Sequence, residues 1–177
     1  VLTNGVLIFS GYNQRAVLAF CRFAHKSRID IFIVAESKQD AILSTDYKKC
    51  VIAVRKKNDL LVEDIKSYIK IIQSNRNNKQ IIILPTSEFL NRFLLRNRKE
   101  IEENNVVIPL CSRHLYEEIS NKYSFGKLCA SFGIKMPKEY YASSKPKFPF
   151  VAKPKCYFSS TGEVIKPIIL TSNCELK

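Results

Sequence analysis

Glycine is scarce in this chain, with five residues at positions 5, 11, 126, 133 and 162. Their spacing makes no G-x-G-x-x-G dinucleotide fingerprint, and no G-x-x-x-x-G-K-[ST] phosphate loop exists. Histidine is scarcer still. His25 and His114 are the only two, and neither has a cysteine at ligand spacing, which argues against zinc. The six cysteines, at 21, 50, 111, 129, 156 and 174, form no C-x-x-C pair. Cys21 and Cys129 fall within apolar helical patterns and Cys50 precedes Val51-Ile52-Ala53-Val54, so the expectation is buried free thiols in a reducing cytoplasm. No apolar run approaches the roughly 20 residues that span a bilayer. The first ten residues lack the basic leader of a signal peptide, so no membrane association is expected.

What is present is a basic chain of 177 residues with a formal net charge of +13, 46% apolar and 25% charged residues. That is ordinary globular composition, enough for one domain or for one small domain and part of another. Through the first two-thirds, short apolar runs alternate with amphipathic segments. Residues 6–9, 29–34, 51–54, 81–84 and 106–108 read as strands without a polar face. Asn13 is placed to cap a helix over 14–24, and Asn58 to cap one that carries Leu61, Ile65, Tyr68, Ile69 and Ile72. Phe89, Leu90, Phe93 and Leu94 mark a third helix, while 36–49 is polar and irregular. Uniformly apolar strands separated by helices predict an α/β fold, a Rossmann-like parallel sheet covered on both faces.

After Pro109 the pattern changes. Ser112 is placed to cap a helix with Leu115 and Ile119. A second helix carries Phe125, Leu128, Cys129 and Phe132 and ends at Gly133, with Pro137 preventing its resumption. Tyr140-Tyr141-Ala142 is strand-like. Phe150-Val151-Ala152 and Ile168-Ile169-Leu170, separated by Ser159-Ser160-Thr161-Gly162, predict an antiparallel hairpin. The expected division is therefore a domain over 1–112 and the beginning of a different one over 113–177, truncated at its end.

Charge concentrates in that second part. Residues 122–155 hold eight lysines, one glutamate and no arginine. Such a stretch is either a solvated face or a site for a polyanion. The aromatics here sit at helix-core spacing or beside prolines, and no arginine is interleaved. Placed lysines for nucleotide phosphates fit that pattern better than a nucleic-acid groove does.

The order of motifs resembles a known family. Asn121-Lys122 opens a helix. Gly133-Ile134-Lys135-Met136-Pro137 closes it, and a spacer leads to Phe148-Pro149-Phe150-Val151-Ala152-Lys153-Pro154 and a hydroxyl-rich loop. This is similar to the entry of an ATP-grasp domain, and the preceding α/β part resembles the pre-ATP-grasp domain of carbamoyl-phosphate synthase large subunits and related carboxylate–amine ligases. The resemblance implies ATP and magnesium as cofactors, a small-molecule carboxylate and an amine or ammonia as substrates, and an acylphosphate intermediate. It implies that Lys122 and Lys153 bind phosphate, and that Ser159, Ser160, Thr161 and Gly162 form the flap over the triphosphate. That loop has one glycine where the family commonly has several, and Tyr157 and Phe158 restrict backbone approach. The family's metal-binding carboxylates and transition-state arginine match no position here, so the chain alone is expected to be inactive.

At the strand ends, Arg15 and Glu88 are candidates to orient a carboxylate and an amine, since ligands of open α/β sheets bind beyond the carboxyl ends of strands. A homodimer is allowed and nucleic acid is disfavoured. The rival readings are a basic Rossmann-like module for RNA or an acidic partner, and an ATP-grasp homologue without catalysis.

Overall fold

The structure is a computed structural model that describes residues 5–55, 60–75, 80–103, 105–140, 146–153 and 166–172. It divides into two compact units, 1–116 and 117–177. The sequence-based boundary at 112 falls just before the helix that crosses this division.

The first unit is α/β. Strands β1 (Gly5–Phe9), β2 (Asp30–Ala35), β3 (Val51–Val54), β4 (Ile81–Leu84) and β5 (Val106–Val107) form one sheet in the order β3-β2-β1-β4-β5, with every pairing parallel. The interleaved helices are α1 (Gln14–Lys26), α2 (Val62–Asn75), α3 (Glu88–Arg96) and α4 (Arg98–Glu102).

Period-two alternation assigns each strand residue to a face. Val6, Ile8, Ile33 and Ala35 pack with Val17 and Cys21 of α1. Leu7, Phe9, Phe32 and Val34 pack with Ile65, Tyr68, Ile69 and Ile72 of α2 and with Leu90 and Leu94 of α3. All five residues of β1 are buried, as a central strand covered on both faces requires. Each large aliphatic side chain buried this way contributes roughly 1.5–3 kcal/mol.

The expected strands form, with ends shifted by about a residue as is usual for element boundaries. Asn13 caps α1 through Oδ1, which accepts from Ala16 N–H at 3.2 Å. Leu61 is a correction: it precedes α2 and is exposed, so the buried stripe begins at Ile65. The Asn58 cap lies outside the described residues.

Helix α4 has no counterpart in the sequence reading. It carries a clamp on the exit of β5. Arg98 Nη2 donates to the carbonyls of Ile108 (3.1 Å) and Leu110 (2.6 Å), while Glu102 Oε1 accepts from Ile108 N–H at 3.2 Å. Residues 36–49 are also more ordered than expected, holding two 3-10 turns, Ala41–Ser44 and Asp46–Cys50, capped by Asp40 and Thr45.

Helix α5 (Arg113–Ser120) begins at Ser112, whose Oγ accepts from Leu115 N–H. In the second unit, α6 (Lys122–Ser131) is capped by Asn121 Oδ1, which accepts from Tyr123 and Ser124 N–H. It ends as the glycine signal predicts. Gly133 has φ +67°, Gly133 N–H bonds Ala130 O at 3.0 Å, and Ile134 N–H bonds Cys129 O at 2.9 Å. Phe132 does not complete an apolar face: it sits past the last turn and is 74% exposed. Strands β6 (Phe150–Ala152) and β7 (Ile168–Leu170) pair antiparallel. Tyr140 belongs to no strand, which corrects that part of the 140–142 reading. Its ring instead packs 6.2 Å from that of Phe150. Tyr141 and Ala142 lie outside the described residues. Among the described residues no helix is long and apolar enough to cross a membrane.

Candidate functional site

Parallel strands bring all their carboxyl ends to one edge, and the crevice of such a sheet lies where neighbouring connections diverge, here between β1 and β4. After β1, Ser10 extends the ladder by one bond, its N–H to Val34 O at 3.0 Å. Gly11 then turns the chain at φ +93°. A Cβ on Gly11 would lie 2.4 Å from Glu36 Cβ, so this turn needs glycine for both its conformation and its space.

Beneath the turn is a buried polar cluster. Asp40 is 5% exposed, and its Oδ1 accepts from Ser10 Oγ (3.0 Å), Gln14 Nε2 and Ile42 N–H (3.0 Å). Its Oδ2 accepts from Glu36 N–H at 2.8 Å. Burial pushes the Asp40 pKa upward, but the bonds from Ile42 and Glu36 N–H, Gln14 and Ser10 outweigh it, and the net shift is below the ordinary aspartate value. This buried carboxylate thus stays ionised by accepting hydrogen bonds.

Arg55 follows β3 with its side chain 3% exposed. Nη1 donates to Tyr12 Oη at 2.6 Å, Nη2 lies 3.4 Å from Ser10 O, and Nη2 pairs with Glu36 Oε1 at 3.5 Å. The guanidinium carbon stands 4.6 Å from the Tyr12 ring centroid, and that ring packs 5.5 Å from Phe89 of α3. Thr86, after β4, donates Oγ1 to Phe9 O at 3.2 Å and ties the two central strand ends together. The edge is therefore a hydrogen-bonded polar floor in which the buried Arg55 Nε makes no hydrogen bond among the described residues, with an exposed rim.

Arg15 and Glu88 sit on that rim, exposed in the first turns of α1 and α3. Glu88 is engaged: its Oε1 accepts from Arg92 Nε (3.0 Å) and Nη2 (2.7 Å) one turn along the same helix. An exposed i,i+4 pair is worth about 0.3–0.5 kcal/mol and is easily exchanged. Asp40 and Arg55 are the site residues that the sequence reading missed. Asp40 carried a readable signal, an acid before an apolar pair at a turn start. Arg55 opens a basic run, Arg55-Lys56-Lys57, which resembles a solvated stretch.

In the second unit, Lys153 is exposed and follows β6 directly, one residue after the Ala152–Ile168 pair. Lys127, Lys135, Lys138, Lys147 and Lys166 are exposed as well. Lys122 is the first residue of α6, and its side chain lies outside the described residues, as do Ser159, Ser160, Thr161 and Gly162. Among the described residues no group of three or more His, Cys, Asp or Glu is placed to hold a metal ion, so those residues do not fit a magnesium site. Cys21 and Cys129 are buried free thiols, and burial, with Cys50 nearby, pushes Cys21 up to about 11, which removes it as a nucleophile. The chain matches no protein-family model, and comparison with curated proteins gives no significant match.

Proposed function

We propose that this chain is the N-terminal part of an ATP-dependent ligase that joins a carboxylate to an amine or ammonia through an acylphosphate. The observation that carries the reading is an order of elements. A parallel β3-β2-β1-β4-β5 unit precedes a helix capped by Asn121 and closed at Gly133, then a hairpin whose first strand delivers Lys153. That order is the one the ATP-grasp resemblance implies.

In this reading ATP supplies the phosphoryl group when bound. Lys153 neutralises phosphate charge from a backbone position fixed by the strand pair behind it, and a lysine suits this role as a compact charge with three donors. Lys122 and the hydroxyls of Ser159, Ser160 and Thr161, with the backbone at Gly162, are assigned to the same phosphates by resemblance. Arg15 offers a cation to the acceptor carboxylate on the sheet rim, and Glu88 exchanges Arg92 for the amine.

The test is turnover by the full-length protein: ADP and phosphate released from ATP only when a carboxylate and ammonia are both supplied. Salt-sensitive RNA retention with no turnover of ATP would replace this reading with the basic binding module.

A further inference from the structure

Helix α1 carries cations and no anions. The sequence has no acidic residue before Asp30, so Arg15, Arg22 and Lys26 share their helix with no carboxylate. Helices α2, α3 and α4 each place a basic side chain against an acid: Lys66 pairs with Glu100, Arg92 with Glu88 and Arg98 with Glu102. On α1 the three cations are exposed, and among the described residues none of them makes an ion pair or a side-chain hydrogen bond. At 3.6 residues per turn they fall within about 40° of one another, with steps of about 10 and about 6 Å along the axis. Val17, Cys21 and Ala24 occupy the opposite side, fully buried in the core. Phe23 borders the basic stripe, 58% exposed, with its ring 6.0 Å from that of Phe20. This arrangement works against the isolated helix. Arg22 and Lys26 are like charges one turn apart, and Arg15 sits in the first turn, where the helix dipole disfavours a cation. An anionic chain laid along the stripe relieves both.

We propose that the exposed face of α1 binds the backbone of a single-stranded nucleic acid. Arginine, absent from residues 122–155, supplies two of the three cations here, and its planar fork matches phosphate oxygens. A guanidinium would take a carboxylate as readily, but the exposed Phe23 ring beside the stripe gives a base a surface to stack on, which an acidic peptide does not need. A lipid surface fits less well. A helix lying in a bilayer interface turns its apolar face to the lipid, whereas the apolar face of α1 is spent on the core. The site neither needs nor excludes the ligase reading, and Arg15, which that reading places on the rim, is left intact in the test.

The test is fluorescence anisotropy of a labelled oligouridylate titrated with the 177-residue chain, using variants whose circular dichroism is native. Binding is expected, weakening steeply as salt rises from about 50 to 200 mM. Arg22→Gln combined with Lys26→Gln keeps helix propensity at two exposed positions. That protein should bind about ten-fold more weakly and lose about 1.4 from the slope of log affinity on log salt, at ~0.7 for each phosphate contact. Phe23→Ser should weaken binding about five-fold and leave the slope unchanged. Lys135→Gln combined with Lys138→Gln removes the same charge from exposed positions in the second unit and should change affinity by less than about two-fold. No binding at the lowest salt would overturn the proposal. So would equal losses from the two charge-removing proteins, or an unchanged affinity for Phe23→Ser. Displacement by poly-L-glutamate as effective as that by unlabelled oligouridylate would also overturn it, in favour of an acidic protein partner.

Discussion

Ser10 and Asp40 meet at the carboxyl end of the central strand, Ser10 Oγ donating to Asp40 Oδ1 at 3.0 Å inside the protein. The same hydroxyl lies 3.0 Å from Gln14 Oε1, so its one proton is shared between two acceptors, and Gln14 returns a bond to Asp40 through its amide. Two turns and a helix start are thereby fastened to one carboxylate.

Replacing that carboxylate gives the first prediction. Asp40→Asn exchanges an acceptor for an amide that turns donors toward donors, and is expected to cost about 2–3 kcal/mol in urea unfolding. The pH dependence has a definite sign. The folded pKa of Asp40 lies below its unfolded value, so its contribution is complete above the unfolded value of ~3.9 and is lost as pH falls through the folded value. The stability gap between wild type and Asp40→Asn should therefore shrink on acidification below about pH 4. A gap that is constant from neutral to strongly acidic pH would show that Asp40 is not the ionised hub.

Gly11→Ala should destabilise by about 2–3 kcal/mol, because φ +93° and the 2.4 Å approach to Glu36 Cβ act together. Pairing it with Glu36→Gly separates the two causes. Because Glu36 also pairs with Arg55, the double variant is compared with Glu36→Gly alone: with the clash removed, Gly11→Ala should cost less there than in the wild type, and what remains is the backbone strain.

Arg28 occupies a position that favours glycine. It has φ +56° after α1, with Arg28 N–H bonded to His25 O and Ile29 N–H to Ala24 O, the same closure that Gly133 makes after α6. Arg28→Gly is expected to stabilise the protein by roughly 0.5–1 kcal/mol. Thermal unfolding that shifts downward would contradict this.

The proposed ligase function predicts that Lys153→Ala in the full-length protein reduces ATP turnover far more than Lys147→Ala. Both remove one exposed charge, but Lys153 follows a hydrogen-bonded strand pair, whereas Lys147 lies before the strand begins. Equal losses at the two positions would favour a diffuse basic surface over an assigned phosphate contact.

Mg-ATP binding by the 177-residue chain alone should be weaker than micromolar. A lysine–phosphate contact in water is worth on the order of 1 kcal/mol, whereas micromolar affinity needs about 8. Calorimetry is the direct check, and a micromolar isotherm would mean that this chain carries a complete nucleotide site.

The sheet was legible because its strands are buried on both sides. Ile81 to Leu84 has no polar residue to misplace, and the helices between strands carry clean apolar stripes. Helix α4 was not legible. Arg98-Lys99-Glu100-Ile101-Glu102 buries only Ile101, and what orders it is Arg98 reaching carbonyls at 108 and 110, a contact invisible to periodicity. The same reason hid the polar cluster. Asp40 and Arg55 gain their meaning from Ser10 and Tyr12, which lie far away in sequence and adjacent in space only once β1 has β2 beside it. Arg15 and Glu88 follow β1 and β4 in the first turns of their helices, but the Arg92 partner of Glu88 was overlooked although its i,i+4 spacing was on view.

The position of β1 has a consequence for synthesis. Among the five strands of this sheet it is made before the others, and it ends up between β2 and β4, with β4 following β2, β3 and α2 along the chain. As the polypeptide leaves the ribosome, Gly5–Phe9 can acquire its β2 neighbour early, yet its other hydrogen-bonding edge stays open until Ile81–Leu84 emerges. An apolar segment exposed for that interval is the place where a chaperone would hold the nascent chain, and where premature termination before β4 would leave a sticky, half-paired sheet.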